Sequence, residues 1–220
     1  MAALGSLAML PQPTAMLPAV MPWLDLAGLA VFAVSGALVA AKHRQTMVTL
    51  VFFALITGVG GGTLRDLLID APVFWVHDAR VPIVCLIAAI AVWATPERWW
   101  RGSALDWFDA VGLAAYAVYG AAKATGYGIP PVAAAMLGVV SACVGGIIRD
   151  VIAGEPSILM RPELYVTAAA LSSTSYVILM QLGVPGAGPI AALAGFVLRG
   201  AAIRYRIALP AYPAKGWDRG

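Results

Sequence analysis

The chain has 220 residues, of which 61% are hydrophobic and 11% are charged, and its formal net charge is +3. A water-soluble domain carries about 25% charged residues, so this composition excludes an ordinary soluble fold and indicates a protein immersed in lipid. The two cysteines are isolated and predict neither a disulfide framework nor a metal site. The modest positive charge calls for no nucleic-acid partner, because basic residues in a membrane protein first report its orientation.

Seven apolar runs follow one another, each long enough or nearly long enough to cross a bilayer as a helix. Before them, residues 1–22 are apolar and proline-rich without Lys or Arg, which predicts an N-terminal extension rather than a signal peptide. The runs are continuous and do not alternate with period two, which favours helices over a barrel. The predicted spans are 24–41, 47–68, 81–95, 108–124, 131–152, 164–182 and 187–203, followed by a basic cytoplasmic tail, 204–220.

A shift of 84 residues superimposes two parts of the chain. The segment WLDLAGLAVFAVSGA (23–37) then lies on WFDAVGLAAYAVYGA (107–121), with 9 of 15 positions identical. Each unit is predicted to hold three crossings, an odd number, so the second unit must be inverted relative to the first. The sequence therefore predicts an all-α membrane protein with seven transmembrane helices: a first repeat (23–106), a second, inverted repeat (107–186) and a C-terminal helix (187–203). The same shift places Gly61, Gly62, Arg65 and Asp66 on Gly145, Gly146, Arg149 and Asp150.

The basic residues indicate the orientation of the chain. Seven crossings put the two ends on opposite sides, and most basic residues fall on the side of the C-terminus. Positively charged loops stay in the cytoplasm, so we expect a multi-pass protein of the cell (inner) membrane with its N-terminus outside and its C-terminus cytoplasmic. The residues on the predicted cytoplasmic side are Lys42, His43, Arg44, Arg98, Arg101, Arg161, Arg204, Arg206, Lys215 and Arg219, against Arg80 and Lys123 on the other side.

Glycines interrupt the second and fifth runs, at Gly60, Gly61 and Gly62 and at Gly145 and Gly146. Three successive glycines cost about 3 kcal/mol relative to alanine in a helix, so we expect these helices to kink or unwind. The carbonyl groups freed by a break would carry the negative end of a half-helix dipole, which suits a cation. The alternative is close helix packing, because small residues let membrane helices approach each other.

An Arg-Asp pair follows each group of glycines, Arg65 and Asp66 in the first repeat and Arg149 and Asp150 in the second. Charges within a membrane are costly, and those that remain usually face a pore or each other. Because neighbours at i and i+1 do not face each other on a helix, each arginine is predicted to find its partner elsewhere, for example the acid of the other repeat. The alternative is an arginine at the interface that extends towards water.

Three further residues are weaker candidates for the mouth of a pore: Asp25, Asp109 and Lys123. The two aspartates open the two units, where they could serve as helix caps or as an acidic ring that concentrates cations. No catalytic constellation, phosphate loop or metal-ligand cluster is apparent, so we expect no enzyme activity, no cofactor and no metal.

The blocks GVGGGTLRD (58–66) and VGGIIRDVIAGEP (144–156) resemble the signature of the trimeric intracellular cation (TRIC) channel family in its prokaryotic branch. The resemblance covers residues 23–203. It implies a homotrimer in membrane lipid, with a potassium-conducting pore in each protomer and with bends at the glycines of the second and fifth helices. Charged residues next to those bends would be Arg65, Asp66, Arg149 and Asp150.

One position departs from the symmetry of the two motifs, because Val144 stands where the first repeat has Gly60. Related bacterial sequences are also described as glycine transporters. A secondary transporter of a small zwitterion such as glycine therefore stays open beside the potassium channel, as does a structural protein without transport.

Overall fold

A computed structural model describes residues 21–100, 102–160 and 163–210, with side chains from residue 25 onward. Most of the predicted extension 1–22, the tail from 211, Arg101 and Arg161 lie outside the described residues. Within them the chain forms seven α-helices and no strand. The helices are α1 (Met21–Lys42), α2 (Met47–Leu68), α3 (Arg80–Ala94), α4 (Ala104–Gly126), α5 (Pro131–Ala153), α6 (Val166–Gln181) and α7 (Ala187–Tyr205).

All seven predicted helices are confirmed, and the chain is an all-α, multi-pass membrane protein. Four helices are apolar enough over at least 18 residues to cross a membrane by length and composition: α1, α2, α5 and α7. The helix α4 is as long as α5 but carries Asp106, Asp109 and Lys123, whereas α3 and α6 are shorter, at 15 and 16 residues.

Local signals explain where the helices begin and end. Thr46 caps α2, because its hydroxyl accepts a hydrogen bond from the backbone N–H of Thr49 at 3.4 Å. Pro131 occupies the first position of α5, where its missing N–H costs nothing. Gly154 then ends α5 with a φ of 69°, a left-handed conformation that glycine adopts without strain.

The two repeats, α1–α3 and α4–α6, contact each other reciprocally. Gly28 lies against the ring of Tyr116, and its equivalent Gly112 lies against the ring of Phe32, the equivalent of Tyr116. A two-fold axis produces such pairs of contacts: where residue i of one unit contacts residue j of the other, residue j of the first also contacts residue i of the second. The inverted repeat is therefore confirmed, and its axis passes between α1 and α4 and between α2 and α5.

Small side chains are the commonest apolar ones in the interior. Buried apolar positions are dominated by alanine, as at Ala33, Ala54 and Ala117, which are at most 1% exposed. Large apolar side chains such as Phe52 and Ile87 are more than half exposed. Without a hydrophobic drive between helices in lipid, close backbone packing holds such a bundle together.

The predicted unwinding at the glycines is wrong, whereas a kink there stays a prediction. Both α2 and α5 are continuous helices through Gly60–62 and through Gly145 and Gly146. A Cβ built on Gly61 would overlap the carbonyl oxygen of Ser141, and one on Gly145 would overlap that of Thr57. The glycines are present because the two backbones touch, which is the alternative that the sequence left open.

Candidate functional site

Two groups of buried polar side chains lie on opposite sides of the α2–α5 crossing. The arginines Arg65 and Arg149 each follow the crossing glycine of their helix by four residues, about 6 Å along the axis. Because α2 and α5 run in opposite directions, Arg65 and Arg149 lie towards opposite ends of the bundle. We call the two groups the Asp25 cluster (Asp25, Arg65, Asp66, Tyr116, Tyr119 and Lys123) and the Asp109 cluster (Ser35, Asp109, Arg149, Asp150 and Tyr165).

In the Asp25 cluster, the second repeat supplies the donors for Asp25. Tyr116 donates its hydroxyl hydrogen to Asp25 Oδ1 at 3.0 Å, and Tyr119 donates to Oδ2 at 3.2 Å. Asp25 is 8% exposed. A buried carboxylate with a donor on each oxygen is satisfied without a neighbouring cation.

Asp66 is the centre of charge in the same cluster. Its Oδ1 accepts a hydrogen bond from Arg65 Nε at 2.8 Å and another from Lys123 Nζ at 2.7 Å. Its Oδ2 accepts from the backbone N–H of Phe74 at 3.0 Å. The Arg65 guanidinium also stacks over the ring of Tyr119, 5.0 Å from its centroid. One carboxylate therefore holds two cations together.

In the Asp109 cluster the roles of acid and base are exchanged. Arg149 donates from Nη1 to Asp109 Oδ1 at 2.7 Å and from Nε to Asp150 Oδ1 at 2.8 Å, and it also contacts Ser35 Oγ. Asp150 Oδ2 accepts from the backbone N–H of Ile158 at 2.8 Å. Here one cation holds two carboxylates together.

The structure corrects the predicted partner of Arg65 and gives Arg149, besides its neighbour, a partner elsewhere, Asp109. Each arginine binds the aspartate directly after it, although neighbours on a helix diverge, because the long arginine side chain turns back to reach it. The cross-repeat partner that was expected for Arg65 is instead supplied by Lys123 to Asp66. Neither arginine extends towards water, since Arg65 is fully buried and Arg149 is 2% exposed.

Asp25 and Asp109 are not helix caps, and neither is open to solvent. Their helices begin four and five residues earlier, and both side chains are buried. The other predicted glycines lie against side chains. A Cβ on Gly60 would lie 3.0 Å from Ile148, and one on Gly62 would lie 2.7 Å from the Phe74 ring.

Sequence reasoning missed a third buried arginine, Arg199 on α7, which has no accessible surface. Its Nη2 lies 2.7 Å from Glu163, and its guanidinium stands 5.4 Å from the centroid of the Tyr165 ring. A single charge within the seventh apolar run was the available signal. The tyrosines of the clusters gave no signal, because an isolated tyrosine in a helix is not distinguishable from a packing residue.

An exposed ion pair joins the two repeats at the end of α1. Lys42 Nζ donates to Glu155 Oε1 at 2.6 Å, and His43 Nε2 lies 3.1 Å from the same oxygen. The hydrogen bond from Lys42 lowers the pKa of Glu155 below its usual range. This pair borders an open cleft of about 650 Å³ between the ends of the first four helices.

Comparison with known proteins agrees with this fold. A family model described as "Glycine transporter" matches residues 22–97 and 106–181, once for each repeat. The UPF0126 inner membrane protein YadS of Escherichia coli strain K12 is 36% identical over 198 residues, which covers 86% of this chain and 95% of that protein. The solved TRIC trimeric intracellular cation channel orthologue from Rhodobacter sphaeroides is 38% identical, with a TM-score of 0.80 over 86% of this chain and 99% of that one. The chain belongs to the prokaryotic TRIC family.

Other TRIC structures agree. A prokaryotic TRIC channel solved in 0.5 M KCl shares 26% identity and a TM-score of 0.79, over 86% of this chain and 98% of that one. The TRIC family thus contains relatives described as cation channels, whereas its sequence model bears the name of a glycine transporter. The two candidate functions for this chain are therefore a cation channel and a glycine transporter.

Proposed function

We propose that this TRIC-family protein is a potassium-permeable monovalent cation channel, a homotrimer with a pathway inside each subunit. The observation that carries the proposal is the pair of buried charged clusters on opposite sides of the α2–α5 crossing. Charged side chains within a membrane are rare and mark ion pathways or relays. The description of similar solved proteins as cation channels supports the same reading.

The proposed pathway runs past both clusters and the crossing between them. Its lining would comprise Gly60, Gly61, Gly62, Arg65, Asp66, Gly145, Gly146, Arg149 and Asp150, with Asp25, Asp109 and Lys123 towards its ends. The crossing would be the constriction of this pathway, because Gly61 lies directly against the backbone of Ser141. Pairing with acids keeps Arg65 and Arg149 from repelling cations.

Recording from purified protein in planar bilayers tests the proposal. With unequal potassium chloride on the two sides, the reversal potential should follow the potassium gradient. Lys123→Ala should change conductance or open probability, because it removes one of the two cations held by Asp66 while Arg65 and the Phe74 N–H remain. The matched control is Arg80→Ala, which breaks an exposed pair with Asp78 and should leave the currents unchanged.

The second candidate is a secondary carrier of a small zwitterion such as glycine. It is favoured by the family description and by the presence of both signs of charge in each cluster. Broken half-helices usually build such sites, and α2 and α5 are continuous helices, so the carrier lacks that support. Saturable glycine uptake into proteoliposomes without ion current would establish the carrier and overturn the channel.

A further inference from the structure

The two clusters obtain their cations differently from the two repeats. In the Asp25 cluster, one cation comes from each repeat, Arg65 from the first and Lys123 from the second. The position of the first repeat that is equivalent to Lys123 is Val39, which is 1% exposed and carries no charge. The two carboxylates of the Asp109 cluster therefore receive a single cation from the repeats, Arg149. Because an uncompensated buried charge is costly, we expect a second cation from another part of the fold.

The seventh helix carries a cation into this region. Arg199 has no accessible surface, and its Nε and Nη1 make no hydrogen bond in the described part of the chain. Its Nη2 lies 2.7 Å from Glu163, but the Glu163 side chain is 36% exposed and borders an open cavity of about 620 Å³. Water stabilises a carboxylate in that position, whereas a fully buried guanidinium depends on the charges around it.

Tyr165 connects Arg199 to the Asp109 cluster. The Arg199 guanidinium lies over the Tyr165 ring, 5.4 Å from its centroid, and the Tyr165 hydroxyl is a hydrogen-bond partner of the Asp109 carboxylate. No side chain separates these two groups at Gly146, where a methyl group would lie 2.9 Å from Tyr165 Oη and 3.6 Å from Asp109 Oδ1. The tyrosine thus meets a cation at the face of its ring and an anion at its hydroxyl, and both contacts are favourable.

Close packing of α6 against α7 sets the level at which Arg199 lies. Gly195 precedes Arg199 by one turn, and a methyl group built on it would lie 2.8 Å from the carbonyl oxygen of Ala168. The two helices are joined by a short loop and run in opposite directions. The turn after Gly195 therefore leads back towards the start of α6, where Tyr165 lies. A backbone contact, rather than a flexible side chain alone, fixes the place of the charge.

We propose that Arg199 is the second cation of the Asp109 cluster, supplied by α7 and acting through Tyr165. Two buried carboxylates then meet two buried cations, which is the balance found in the Asp25 cluster. Arg199 is a positioning residue, because it does not line the proposed pathway but stabilises Asp109 as a carboxylate beside Arg149. The charge balance itself does not depend on conduction. Its consequence for ion passage, a neutral cluster that neither traps nor repels a cation, rests on the proposed function.

A double-mutant cycle on the purified full-length protein in detergent tests the assignment, with Tm as the readout. Arg199→Gln leaves one buried carboxylate without a cation, and we expect Tm to fall by about 6–12 °C. Asp109→Asn in the same chain restores neutrality, so the double variant should lose clearly less than the sum of the two single losses. Asp25→Asn is the matched control, because that carboxylate belongs to the other cluster and its loss should add to that of Arg199→Gln.

Tyr165→Phe tests the route between the two charges. This change keeps the ring under the Arg199 guanidinium and removes only the hydroxyl, so the coupling between Arg199 and Asp109 should become smaller. An unchanged coupling in Tyr165→Phe would contradict the proposed role of the tyrosine. Arg199→Lys, which keeps the positive charge, should retain more of the wild-type Tm than Arg199→Gln.

Additive losses for Arg199→Gln and Asp109→Asn overturn the assignment. A loss in Arg199→Gln that Glu163→Gln cancels, and Asp109→Asn does not, also overturns it, because Glu163 would then be the counter-charge. If Arg199→Gln yields no folded protein, recovery by Asp109→Asn supports the assignment and failure of both variants contradicts it. The cycle needs no current, so absence of conductance in bilayers would remove the channel and leave this pairing standing.

Discussion

At the scale of single residues, each Arg-Asp pair ties the end of its helix to the loop that follows. Asp66 and Asp150 bind the preceding arginine with one oxygen and the backbone N–H eight residues later with the other. The charged residues could be predicted from the sequence, because they interrupt apolar runs. Their partners could not, since a backbone N–H leaves no trace in residue identity and Tyr116, Tyr119 and Ser35 resemble packing residues.

Arg149→Ala leaves the buried Asp109 and Asp150 without their shared cation. We expect the free energy of unfolding to fall by about 3–5 kcal/mol, the usual cost of removing one partner of a buried pair. Thermal unfolding in detergent, followed by loss of the native size-exclusion peak, measures this change. Arg80→Ala is the control, because that pair is exposed. Wild-type stability in Arg149→Ala would contradict the described pairing.

At the scale of helices, the boundaries were largely predictable and the role of the glycines was not. The predicted limits of α2 coincide with those of the helix, since Thr46 and a continuous apolar run mark them. The helix α4 is longer at both ends than predicted, because Asp106 and Thr125 are polar yet helical. A glycine is compatible with both a helix break and a close helix contact. The carbonyl oxygens that show a close contact here belong to Ser141 and Thr57, which lie 80 residues or more from Gly61 and Gly145 in the chain.

Gly61→Ala and Gly145→Ala should each push α2 and α5 apart. A methyl group at either position overlaps a backbone oxygen, which cannot move as a side chain can. We expect each variant to lose about 1–3 kcal/mol of stability, the range for overpacked cores. Gly188→Ala is the matched control, because its methyl group would lie an ordinary 3.7 Å from Val118. Equal melting temperatures in all three variants would show that the helices are not in backbone contact.

At the scale of the whole molecule, the shift of 84 residues predicted the inverted architecture, which the reciprocal contacts confirm. An odd number of helices in each unit was sufficient for this conclusion. The helix α7 has no counterpart in the repeats, and its buried Arg199 contacts Glu163 before α6. The sequence therefore gave no internal comparison from which to predict that contact. The orientation in the membrane and the division into 23–106, 107–186 and 187–203 stay predictions.

Cysteine labelling tests the orientation. In a background with Cys85 and Cys143 replaced by alanine, single cysteines would be placed at Gln45 and at Tyr127, exposed positions at opposite ends of the bundle. In intact cells, a membrane-impermeant maleimide should label Tyr127→Cys and spare Gln45→Cys, because the loop after α1 carries the basic residues. The opposite pattern would place the N-terminus in the cytoplasm.

The alanine-rich interior has a consequence for which substitutions the protein can accept. In a water-soluble protein, bulky apolar side chains fill the core and small or polar ones cover the surface. Here alanine is the commonest buried apolar residue, whereas Phe52, Ile87 and Leu193 face outward with more than half of their surface exposed. Exchanging Leu, Ile, Val and Phe on the lipid face should therefore be nearly neutral, while one added methyl group at an interior glycine is not. Variation among members of the family is expected to concentrate in the bulky residues rather than in the small ones.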